Sequence, residues 1–296
     1  MRKITLKNKT DGILNFMDYK NPFYRIVYII LLTILIAFSL IAVFPVIWVI
    51  LSSFKDVEEF YSKTFTLFPK AINFSKIGEV WNLLQVGKYY LNSLYVVLGA
   101  IVCSVLFNGL LAYAVSILKP KGYKLIYGLV LSTMMMPAVT NMYALLQNIV
   151  KLDLIGTYIP IWLAYGANAF YFTLFKTYFD KLPKEVFEAA EIDGCNRLQM
   201  FFRLVLPLSL PIIVVVAIFT VNAAWSDFLL PYLVLNANVD KQTLMVRIFN
   251  INENPPAGLT QDKVFMLISL SIIPVIILFV IFQKQITSAQ TGTGKD

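Results

Sequence analysis

Histidine is absent from all 296 residues, cysteine occurs only twice, and charged residues make up 14% of the chain. The two cysteines, Cys103 and Cys195, are too few and too far apart for a disulfide framework, so both are expected to be free thiols. No carboxylate falls inside any long apolar stretch, and no clustered Cys or His offers a catalytic or metal-ligating set. Ion-coupled carriers usually keep an ionisable group at membrane depth, because such a group is costly to bury and is retained for function. Its absence weakens that class, while a cation site made of backbone carbonyls stays open. A channel or an externally powered permease fits the remaining sequence.

Apolar residues are abundant instead: 58% of the chain, with a mean hydropathy of +0.72, beyond the range of a soluble domain. Uncharged runs cover 26–54, 89–118, 125–150, 154–175, 204–226 and 264–283. About 20 apolar residues cross the hydrocarbon core as a helix, so each run is long enough to span. An all-α polytopic protein with six transmembrane helices is expected, because backbone amides cannot stay unpaired in lipid and the runs lack the alternation of a membrane β-barrel.

Lys and Arg set the orientation. Segments 1–25, 119–124, 176–203 and the tail after 283 carry six, three, five and two, sixteen in all, against nine in 55–88, 151–153 and 227–263. Basic excess marks the cytoplasmic side, so both termini and the loop 176–203 are expected there. The same excess accounts for the net charge of +8, and no nucleic-acid partner is implied. Arg2, Lys3, Lys7 and Lys9 precede the first run as in a signal peptide, but that run is about twice the length of a signal core and no A-x-A-like site follows, so it is expected to stay attached. The tail "TGTGKD" departs from a phosphate loop: position 289 is Ala and Asp296 has no helix after it.

The loop "PKEVFEAAEIDGCNRLQMFFRLVLP" is the most ordered of the polar segments. Pro183 suits a first helical turn; Val186, Phe187 and Ala190 recur on one face; Gly194 supplies a left-handed stop. Asn196 with Gln199 reads as a capping box opening a second helix, which carries Leu198, Phe201, Phe202 and Val205 up to Pro207. Two short helices meet at a glycine.

Those residues carry a resemblance. "EAAEIDG", nine residues, then "LVLP" resembles the EAA loop of bacterial ATP-binding-cassette importer permeases, with Glu188, Ala189, Ala190, Gly194, Leu204, Leu206 and Pro207 on the pattern. Further landmarks follow the order of the carbohydrate-type, MalG-like permeases: "SFK" at 53–55, "LFPKAINF" at 67–74, "NSL" at 92–94, "AYA" at 112–114, "LDLIGT" at 152–157, "WSDFLLPYL" at 225–233 and "IPVIILFVIFQKQI" at 273–286. Ser226, where Asn is usual, and Ala289, near a usual Gly, depart from it. The resemblance implies a type I importer permease fold, with a cytoplasmic segment 1–25, a six-helix domain 26–283 and a cytoplasmic tail 284–296. It further implies a non-catalytic subunit in the bacterial cytoplasmic membrane. Its partners would be a homologous permease, two copies of a cytoplasmic ATPase holding ATP and Mg, and an external solute-binding protein. Glu188, Ala189, Ala190, Asp193, Gly194 and Pro207 would couple to that ATPase.

Sugars are held by aromatic faces and by amides or hydroxyls. Candidates for the substrate path are therefore Asn108, Tyr113, Tyr143, Asn222 and Trp225, with Asn168 beside them. The same residue types also bond helices together and form interface belts, so the sequence leaves both roles open, as it does a non-sugar solute or an autonomous carrier.

Overall fold

A computed structural model describes residues 22–62 and 66–291, and among them every regular element is helical. Two compact units divide the chain, Met1–Ile72 and Asn73–Asp296. Segment 1–25 lies outside the described residues up to position 21, as does the tail beyond 291.

The first unit is dominated by α1 (Pro22–Ser53), 32 residues and hence about 48 Å long at 1.5 Å per residue. Its apolar side chains from Phe23 to Ile47 are exposed around the whole helix. A helix apolar on all sides and unburied suits lipid as its solvent. A short helix α2 (Val57–Tyr61) follows, where the Lys70 amide donates to the Glu59 carboxylate at 3.2 Å and the Lys55 ammonium donates to the Thr66 carbonyl.

The second unit is organised around α4 (Val86–Tyr113), which follows α3 (Ser75–Leu83) and continues as a π-helical turn, Ala114–Leu118. Helices α5 (Tyr123–Thr133), α6 (Ala138–Lys151), α7 (Ile159–Gly166) and α8 (Ala169–Phe179) come next, and α4 packs against α7 and α8. Small residues permit that approach: a Cβ on Gly99 would sit 2.3 Å from the Trp162 ring, and one on Gly166 would sit 2.8 Å from Phe107. In lipid, where apolar burial gives little drive, close backbone packing is the main source of helix association.

Runs 26–54, 89–118 and 264–283 each fold as one helix, whereas 125–150 and 154–175 are each broken in two. Pro137, at the entry to α6 with ψ 130°, has no amide hydrogen and excludes a helical neighbour behind it. Asn168 breaks the other run by taking extended backbone and accepting the amides of Phe170 and Tyr171, capping α8. Among the described residues three helices, or four counting one bent pair, are long and apolar enough to cross a membrane singly. The bent pair is Arg197–Leu208 with α12 (Leu210–Ser226), angled by 81°. Pro207 and Pro211 bracket the bend at Ser209; Pro211 cannot donate to a carbonyl one turn back, and its ring clashes there.

Beyond α12 lie α13 (Leu229–Leu235), numbered here after α9 (Lys184–Ile192), α10 (Arg197–Met200) and α11 (Leu206–Leu208), then α14 (Leu244–Glu253) and α15 (Gln261–Thr291). The segment before α14 is pinned to α4: the Asn92 amide donates to the carbonyls of Asp240 and Gln242 at 2.8 and 2.9 Å, and Ser93 accepts from the Leu244 amide at 2.9 Å. A buried ion pair, Lys76 to Asp262 at 2.9 Å, joins α3 to α15. Helix α15 runs eight residues past the apolar run that ends at 283.

Candidate functional site

The loop between α8 and α12 is built by local rules. Pro183 stands just outside α9, at its N-cap with extended backbone, and Lys184 is the first helical residue. The helix ends in a Schellman motif: Gly194 has φ +79°, the Cys195 amide donates to the Ala190 carbonyl at 3.0 Å, and the Gly194 amide donates to the Glu191 carbonyl at 3.1 Å. Two residues on, the Asn196 side chain accepts from the Gln199 amide at 2.8 Å while the Gln199 side chain accepts from the Asn196 amide at 3.0 Å. This is the capping box the sequence calls for. The junction of α9 and α10 is thus closed by four hydrogen bonds between Ala190 and Gln199, which makes the pair stiff.

One face anchors the pair. Phe187 and Ala190 join a buried cluster with Tyr113, Phe179, Met200 and Phe201. The opposite face is open: Glu188, Ala189, Asp193 and Gly194 are exposed, and among the described residues Glu188 forms no ion pair. A cavity of about 350 Å³ opens beside it, lined in part by Ser116, Lys119, Asp180, Lys184, Glu188 and Arg197.

The remaining residues of this loop divide by burial. Ala190 is only 6% exposed and packs against the chain's own core, so its small size serves internal packing and Ala189 is the alanine left for an outside surface. Of the second helix's apolar residues, Phe201 and Val205 are fully buried, while Leu198, in α10, and Phe202, in the π turn Phe201–Val205, face outward. Ile192, 87% exposed, went unnoticed in the sequence. With Leu198 it flanks the open face with apolar surface, and the signal was its position off the Phe187 and Ala190 stripe. Pro207 is exposed at the start of the bend, where the chain enters the run 204–226.

The proposed substrate-path residues separate into two groups. Asn108 is buried with both amide hydrogens and its carbonyl oxygen engaged: it donates to the carbonyls of Ser104 and Tyr165 at 2.8 and 3.0 Å and accepts from the Asn168 amide at 3.0 Å. It holds the break between α7 and α8. Tyr113 is buried against Phe201 and donates to the Arg197 carbonyl at 3.1 Å, which places it at the loop. Trp225 is 7% exposed, packs edge-on against Tyr90 and donates its indole N–H to the Ser271 carbonyl at 3.1 Å, so it joins α12 to α15. Asn168 is consumed as a cap. Tyr143 and Asn222, by contrast, are exposed, Tyr143 accepting from Gln147 at 2.8 Å. Both cysteines are free thiols.

Comparison with known proteins agrees with this geometry. The binding-protein-dependent transport system inner membrane component family matches residues 106–290, which include the whole loop. The diacetylchitobiose uptake system permease protein NgcG of Streptomyces coelicolor is 33% identical over 88% of this chain and 86% of its own. The arabinooligosaccharides transport system permease protein AraQ of Halalkalibacterium halodurans is 32% identical over 98% of this chain and 99% of its own. A crystal structure of a bacterial ABC transporter involved in the import of alginate contains a chain with the same fold, TM-score 0.75 at 23% identity, covering 92% of this chain and 99% of that one. The chain belongs to the family of binding-protein-dependent transport system inner membrane components, the permeases of ATP-binding-cassette importers.

Proposed function

We propose that this chain is one of two homologous permeases of an ATP-driven, binding-protein-dependent importer of sugars or oligosaccharides in a bacterial cytoplasmic membrane. In this reading all six apolar runs cross the bilayer, the broken ones as helix pairs, and both termini face the cytoplasm, as the Lys and Arg distribution favours. Two copies of a cytoplasmic ATPase bind ATP and Mg; this chain is non-catalytic. The observation that carries the reading is the loop itself: a helix pair closed by its own hydrogen bonds, anchored by Phe187 and Ala190, with Glu188 and Ala189 presented outward.

A stiff pair of this kind transmits displacement. ATP closes the ATPase dimer, the docked loop moves as a body, and helix packing passes between inward-open and outward-open states. ATP shifts that balance only through its different affinity for the two. The sugar assignment draws on relatives named for diacetylchitobiose and arabinooligosaccharide transport. Within this chain Asn222 and Tyr143 remain the path candidates. An exposed amide on a span is costly against lipid, which favours a face turned to the path or to the second permease. The segment 234–263 would meet the external binding protein.

The test is ATP hydrolysis by the complete importer in nanodiscs, with its binding protein and a panel of oligosaccharides, amino acids and polyamines. Stimulation by an oligosaccharide is the expected result. Stimulation only by an amino acid or polyamine would reassign the solute, and solute flux through the purified chain alone would overturn the reading.

A further inference from the structure

Hydrogen bonds, joined through the backbone of α4 and through Tyr165, connect the coupling loop to the far end of α12. The Tyr113 hydroxyl donates to the carbonyl of Arg197, in the first turn of α10, at 3.1 Å. Five residues back on α4, about 7.5 Å along a rigid helix, the Asn108 amide donates to the Tyr165 carbonyl and accepts from the Asn168 amide, both at 3.0 Å. The Tyr165 hydroxyl then donates to the Asp227 carboxylate at 3.3 Å, at the C-terminal end of α12. Tyr113 and Asn108 are 3% and 2% exposed.

Packing alone does not explain this set. A phenylalanine would fill the same space at position 113 against Phe201, and a buried hydroxyl is unfavourable unless it is bonded. Packed apolar contacts allow a helix to slide, whereas a hydroxyl bonded to a main-chain carbonyl fixes one register. We infer that Tyr113 is a positioning residue that locks the coupling loop to α4, and that Asn108 and Tyr165 carry the lock onward to the break between α7 and α8 and to the end of α12. The inference rests on the importer reading: motion entering at Arg197 reaches the break and α12 as one unit, where a loop held only by apolar contacts would lose part of its stroke.

Three variants of the complete importer in nanodiscs test it. Tyr113→Phe and Tyr165→Phe each delete one hydroxyl. Tyr178→Phe is the control, because it removes a hydroxyl bonded to a main-chain carbonyl, that of Leu208, at the same 3.1 Å but from α8 and without engaging α4. The ratio of solute-stimulated to unstimulated ATP hydrolysis is expected to fall about fivefold in each test variant, the equilibrium worth of one buried hydrogen bond. It stays within twofold in the control, the KM for loaded binding protein is unchanged, and the double variant falls no further than the worse single one. Ratios within twofold of native in Tyr113→Phe, losses that multiply in the double variant, or an equal loss in Tyr178→Phe would overturn the lock. Failure of Tyr113→Phe to assemble while Tyr178→Phe assembles would overturn it too, since the hydroxyl would then serve folding. A native complex with no solute stimulation refutes the importer reading instead.

Discussion

Substitutions at Gly194 should rank by backbone strain alone. The residue has φ +79°, and a Cβ built on it meets no atom within 4 Å, so added side chains cost conformation rather than space. A non-glycine residue loses about 1 to 2 kcal/mol in the left-handed region. Asn tolerates it best and a β-branched residue worst. Since 1.4 kcal/mol is a factor of about ten, Gly194→Ala is expected to lower the fraction of correctly closed loop by about fivefold to thirtyfold. Gly194→Asn should lose less and Gly194→Val more. The assay is co-purification of the ATPase subunit and solute-stimulated ATP hydrolysis in nanodiscs, normalised to assembled permease. Gly194→Val matching Gly194→Asn would refute the argument, because the Schellman closure would then not be setting the loop's geometry.

Other outcomes follow from the same geometry. Ala190→Trp should overpack the core, at about 1 to 3 kcal/mol or more, and lower the yield of folded permease, whereas a surface role for Ala190 would leave yield unchanged. Trp225→Ala should lower thermal stability by several kcal/mol with little change in which solutes stimulate hydrolysis. A changed solute preference at native stability would return Trp225 to the path. Cysteine placed at Lys184 should be labelled only from the cytoplasmic side and cysteine at Asn252 only from outside, and reversed labelling would sink the orientation.

Much of this molecule is legible in its sequence where the signal is local. The capping box at Asn196 and Gln199 and the left-handed stop at Gly194 depend on residues within one turn, and the fold places them as read. Apolar runs likewise declare helices, but not the break at Pro137 within 125–150. Direction is what the sequence hides. In a run apolar on every side there is no periodic polar face, so nothing shows that Asn108 and Trp225 turn inward to bond backbone carbonyls while Asn222 turns outward. Asn168 breaks 154–175 only because the Asn108 amide is there to satisfy the opened backbone, and those two residues are 60 positions apart. The π turn at Phe201–Val205 is likewise unannounced in the sequence.

The central claim is that the outward face of α9 is where the ATPase engages. Glu188→Lys and Ala189→Trp change only exposed positions, so permease folding and pairing should persist. The decisive measurement is the amount of ATPase subunit retained by each variant in nanodiscs, together with its solute-stimulated ATP hydrolysis. Retention falling at least about tenfold, as loss of roughly 1.4 kcal/mol or more at one contact requires, with stimulation lost, is the predicted result. Native retention and native stimulation in both variants would contradict the claim.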